Sequence, residues 1–112
     1  MTRELEALGR RAIACKGWRW MPGMLTDVGE RVTDPTICYL GTLPDLSDPC
    51  TLGGLLALVA QAHEVTLDDL HVVRTTGNVW SVWIFRSDQS SYRVATRRPS
   101  RAIALVAALE AV

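Results

Sequence analysis

Cys15, Cys38, Cys50, His63 and His71 are of the types that ligate metals or pair as nucleophile and base. None of them has the short paired spacing that brings such groups together locally. Cys15 and Cys38 lie in apolar patterns, where a free cysteine acts as a small buried hydrophobe. Cys50 differs, because two residues after a helix-capping Asp48 it falls in a first helical turn, where the dipole lowers a thiol's pKa; the Asp48 carboxylate opposes that shift. Asp68 and Asp69 read as a solvated turn into the strand of "TLDDLHV" rather than as a metal pair. "TLGGLL" lacks the lysine and hydroxyl continuation of a phosphate-binding loop and has no GxGxxG spacing. No enzyme chemistry gathers more than one supporting cluster, so a non-enzymatic protein with no metal and no cofactor is expected.

The remaining candidates are aromatic and cationic. In "CKGWRWMPGM", Trp18 and Trp20 flank Arg19, and in an extended segment the two indoles project to the same side. They could hold a planar ring, or close one end of the core as a lid. His71, Trp80, Arg86 and Arg93 are expected on one face of a sheet, and if the Trp18–Trp20 loop crosses that face, stacking rings and guanidinium forks converge. Indole and guanidinium suit a nucleotide, whose base stacks and whose phosphates accept paired hydrogen bonds. The plainer reading is that strand arginines snorkel over apolar sheet surface. The expected ligand-binding set is therefore Trp18, Arg19, Trp20, His71, Trp80, Arg86 and Arg93.

These residues have to be positioned by one domain, residues 1–112. Hydrophobic residues make up 48% and charged residues 21%, which fits a packed globular chain rather than disorder. The formal net charge is zero, which disfavours both a strongly basic nucleic-acid binder and an acidic DNA mimic. The charges are nonetheless segregated. From Asp27 to Asp69 there are eight acids and one base; from Leu70 to Arg101 there are six arginines and one acid. The longest apolar run, "LLALVA", is far too short to span a membrane, and an odd number of cysteines without a CxxC pair fits reduced thiols. A cytosolic, membrane-free protein is expected.

Helix starts are signalled at Thr2, at Asp48–Pro49 and at Pro99 or Ser100, each before an apolar stripe of helical spacing. The first helix ends by Gly17 and the second near His63. Residues 24–40 read as a loose hairpin. Strands are expected over Leu70–Thr76, Val79–Arg86 and Ser91–Thr96, with Gly77–Asn78 as a two-residue turn. That turn places Leu70 and Val72 on one face with Trp83 and Phe85, leaving His71, Val73, Trp80, Val82 and Ile84 on the other. Both faces are then largely apolar, so both need cover. The expected fold class is α+β, a single antiparallel sheet with helices on both faces, in an α/β/α sandwich. Within it, the adjacent Gly53 and Gly54 imply close approach of another group to the second helix.

The segments "CKGWRWMPGM", "PDLSDPCTLGGLLALV" and "RAIALVAALEAV" together resemble a group of short, uncharacterised tailed-phage proteins, similar in layout to the phage ABA sandwich domain. The resemblance implies a phage-encoded binding protein acting on the host; joined to the Trp/Arg surface, it gives the expectation of a protein directed at host defence in the host cytoplasm, whose partner is a nucleotide-like small molecule or a host defence protein. The alternatives are a protein–protein inhibitor of a host nuclease or defence enzyme, using the acidic middle segment, and a virion or assembly accessory that forms a homo-oligomer.

Overall fold

Three helices begin in the same way, with a short polar side chain taking up a backbone N–H that has no partner within the helix. Thr2 Oγ1 accepts from Leu5 N at 3.2 Å, Asp48 Oδ2 from Thr51 N at 3.0 Å, and Ser100 Oγ from Ile103 N at 3.1 Å. They start α1 (Arg3–Ile13), α2 (Pro49–Ala62) and α3 (Arg101–Glu110). The structure is a computed structural model and describes residues 2–34, 42–75, 77–85 and 91–112. A 3-10 turn over Leu67–Asp69 leads into β1 (Leu70–Thr75), so Asp68 and Asp69 sit in a turn, as the sequence suggests. β2 (Val79–Phe85) and β3 (Ser91–Arg98) complete an antiparallel sheet in the order β1-β2-β3.

The α+β class is therefore observed, with one antiparallel sheet flanked by helices. α3 lies against β2 and β3 and also touches α2 and α1, which is why it buries Ala102 and the whole run from Ala104 to Leu109. A helix apolar on all sides needs neighbours on all sides. α2 adds Leu55, Leu58 and Val59 to the core, the sheet adds Leu70, Val82, Ile84 and Ala95, and α1 adds Leu8 and Ala12. Each fully buried Leu, Ile or Val contributes about 1.5–3 kcal/mol relative to exposure. His63, which caps the end of α2, donates from Nε2 to the Ala108 carbonyl at 2.8 Å and ties α2 to α3.

Between α1 and α2, Leu25 bridges Arg31 and Thr26 bridges Pro44, giving the loose hairpin expected there. Its turn uses Gly29 at φ 86°. The strand-like "TICYL" and Cys38 lie outside the described residues. No helix among the described residues is long and apolar enough to cross a membrane.

The sheet register differs from expectation by one residue. Thr75, not Thr76, pairs with Val79, so the β1–β2 loop has three residues, with Gly77 at φ 85° and Asn78 at φ 58°. A one-residue slip turns a strand over relative to its neighbour. Leu70 and Val72 consequently stand opposite Ile84 and Val82 on the helix-facing side, together with Trp80, while His71 stands opposite Trp83. The slip gathers the aliphatic residues on the covered face, which is where burial favours them.

On the opposite face His71, Val73, Phe85 and Arg93 are exposed. The rings of this face cover one another. Trp83 and Phe85 stack with centroids 5.9 Å apart, and His71 meets Phe85 edge-on at 4.9 Å.

Candidate ligand-binding site

Six of the seven expected site residues lie among the described residues, and they are divided among three places. Trp18 and Trp20 form an edge-to-face pair with centroids 5.5 Å apart, half-buried against the core. The loop that carries them is fixed by Gly17, whose missing side chain leaves room for Ala62 and Leu109; an added Cβ would lie 3.1 Å from each. Arg19 is exposed and donates to the Gln61 side chain. This loop therefore sits at the C-terminal end of α2 and closes the core there.

His71 and Arg93 lie together on the open sheet face, but beside Trp83 rather than Trp80. The Arg93 guanidinium carbon is 4.9 Å from the Trp83 ring centroid, a cation–π contact that occupies one face of the indole. Here the snorkelling arginine expected from the sequence is found, and its stacking partner is already the protein's own ring. Arg86 lies outside the described residues.

Trp80 stands apart from the other described site residues, on the helix-facing side. It is the aromatic wall of a cavity of about 300 Å³ whose other walls are Pro49, Leu52, Gly53 and Leu56 of α2, Val72 of β1, and Arg101 and Leu105 of α3. The helical spacings explain the convergence: Pro49, Leu52, Gly53 and Leu56 share one face of α2, and Arg101 and Leu105 are four apart on α3. Arg101 is exposed and has no hydrogen-bond or ion-pair partner among the described residues. Among the described residues, no acid lines the cavity. The cross-strand neighbours of Trp80 are Arg74 on β1 and Arg98 on β3, and directly opposed residues share a face. Arg98 is partly committed elsewhere, since it helps hold the Glu110 carboxyl below its ordinary range after the larger effect of Arg11. Arg74 is exposed and has no hydrogen-bond or ion-pair partner among the described residues.

Two other concavities lack this combination. The 380 Å³ hollow beside Cys15 contains Arg11, but that guanidinium is paired with Glu110, and no aromatic ring lines it. Burial pushes the Cys15 thiol pKa up, which disfavours a thiolate nucleophile there. The 660 Å³ groove between α1 and α3 carries the same Arg11 together with Glu4 and is otherwise mostly apolar. Among the described residues, no group of three His, Cys, Asp or Glu side chains could hold a metal ion.

Three acids of the middle segment, Asp27, Asp45 and Asp48, are used by the fold itself. Asp27 Oδ1 accepts from Leu43 N at 3.1 Å, and Asp45 Oδ1 accepts from Ser47 N at 3.0 Å. Asp48 caps α2 and accepts from Arg31 at 2.7 Å, which holds its carboxyl below the usual range.

Arg101 and Gly53 were absent from the expected set. Both signals were present in the sequence: the double glycine of α2 and an arginine one residue after a helix cap. What hid them was the register of β1, which brings Val72 rather than His71 to the face that carries Trp80. The fold and cavity thus describe an α+β protein with an apolar, arginine-rimmed recess. No protein-family model, curated protein or solved structure matches the chain.

Proposed function

We propose that the protein is a non-enzymatic binding protein that holds a nucleotide-like small molecule in the Trp80 cavity. The observation that carries this reading is a guanidinium, Arg101, unpaired among the described residues, beside an apolar recess that is walled by an indole and lined by no described acid. A planar ring fits against Trp80, and an anionic group fits Arg101, with Arg74 as a second cation on the same face. The volume lies at the lower end of small-molecule sites, suited to a base or nucleoside portion inside and phosphate at the rim. In keeping with the resemblance to short tailed-phage proteins, the role proposed for such binding is counter-defence in the host cytoplasm, by sequestering a nucleotide signal.

The test is native mass spectrometry of the purified protein, followed by thermal shift with nucleoside monophosphates. A retained or added phosphate-bearing ligand, lost in both Trp80→Ala and Arg101→Ala, is expected. A protein that carries no small molecule, and whose melting temperature no nucleoside monophosphate raises at millimolar concentration, would overturn the reading, because ligands that bind only the native state must stabilise it.

A protein–protein inhibitor is the second reading, and the open face favours it more than the acidic segment does. Phe85 and Val73 are 42% and 37% exposed beside Trp83 and Arg93, the residue types that anchor interfaces. Partner chains or homo-oligomers in the same mass spectra would support that alternative or the assembly role.

A further inference from the structure

The two adjacent glycines of α2 have different reasons to be there. An added Cβ at Gly54 would lie 2.7 Å from Met24 Cε and 3.2 Å from its Cγ, and Met24 is fully buried, so packing requires this glycine. An added Cβ at Gly53 would meet nothing within 4 Å. Nor does the backbone require it, since the glycines at positive φ are Gly23, Gly29 and Gly77. A helix-interior glycine weakens its helix relative to alanine, so at Gly53 the fold bears a loss that neither packing nor conformation explains.

Gly53 shares the cavity-facing side of α2 with Pro49 and Leu56, across from Trp80. Gly53 is exposed, and a side chain there would occupy open space at the wall of the cavity that Trp80 also lines. We infer that Gly53 is a specificity-determining residue of the Trp80 cavity: its missing side chain keeps open the space in which a heteroaromatic ring stacks on Trp80 while the attached anionic group reaches Arg101. This rests on the proposed reading of the cavity as the ligand site. It also defines the class of molecule, a planar ring carrying phosphate, and separates it from phosphorylated sugars that lack a ring to stack.

The experiment compares wild type, Gly53→Ala and Gly53→Leu by melting temperature and by calorimetric titration with adenosine 5′-monophosphate, uridine 5′-monophosphate and ribose 5-phosphate. Gly53→Ala is expected to raise the melting temperature by about 4 °C, because it removes the helix penalty without a clash. Gly53→Leu is expected to weaken binding of at least one of the two nucleotides by about tenfold or more, with weak ribose 5-phosphate binding unchanged. If Gly53→Leu fails to fold, the alanine variant carries the test, with a smaller loss of nucleotide affinity against a gain in stability. A fall in melting temperature for Gly53→Ala would make the glycine structural and overturn the inference. Wild-type nucleotide affinity in both variants would also overturn it while leaving the cavity reading intact. Absence of nucleotide binding by the wild type would remove both.

Discussion

Trp18 and Trp20 are paired with each other and packed on the core, whereas the residue between them reaches outward to Gln61. Full truncation of a buried aromatic costs about 3–5 kcal/mol, so for half-buried indoles Trp18→Ala and Trp20→Ala should each cost about 2–3 kcal/mol in urea unfolding. Arg19→Ala should stay within about 0.5 kcal/mol of wild type, since it removes one exposed hydrogen bond and opens no cavity. It should also leave nucleotide affinity unchanged, because Gln61 lies near the opposite end of α2 from Gly53; at 1.5 Å per residue the two are about 12 Å apart. Loss of affinity in Arg19→Ala would return the loop to the binding site. The sequence made the motif conspicuous but left its role open. That role depends on Gly17 meeting Ala62 and Leu109, contacts distant along the chain that no local spacing encodes.

Elements were more legible than the way they join. The caps at Thr2, Asp48 and Ser100, and the positions of all three strands, follow from side chains that act within a few residues of themselves. The register was not legible, because "TTGNV" accommodates either a two- or a three-residue loop and the choice is made by burial. Pairing Leu70 and Val72 with Ile84 and Val82 puts aliphatic side chains together under α3, and Trp80 turns inward with them. Cross-strand nuclear Overhauser contacts are therefore expected between Val72 and Val82 and between His71 and Trp83. Contacts of Val72 with Trp83 would instead restore the two-residue turn and put Val72 on the opposite face from Trp80. Gly77 at φ 85° should tolerate no side chain cheaply, so Gly77→Ala is expected to cost about 1 kcal/mol or more, read in the same unfolding experiment.

At the scale of the whole molecule, two ion pairs among the described residues join parts of the chain that local structure does not. Arg11 of α1 holds Glu110 at the end of α3, and Arg31 of the loop holds Asp48 at the start of α2. In both acids the hydrogen bond from the arginine is the main cause of a carboxyl pKa below its ordinary value; at Asp48 the bonds from Thr51 add to it. A group whose folded pKa is depressed binds its proton more readily when unfolded. Its contribution to stability is therefore complete above the ordinary carboxylate range, about 4, and is lost as pH falls through the lower folded value. The stability difference between wild type and an Asp48→Asn, Glu110→Gln double variant should then be constant from pH 7 to about 5 and shrink toward zero below about 4. Both pairs are partly open to solvent, with side-chain exposures of 46% for Arg11 and 45% for Arg31, so 1 M salt should reduce the difference at pH 7. Denaturant unfolding at stepped pH and salt reads both effects. Parallel curves for the two proteins down to pH 3 would mean that neither carboxylate gains from its arginine in the folded state, and that these long-range contacts orient the elements without stabilising them.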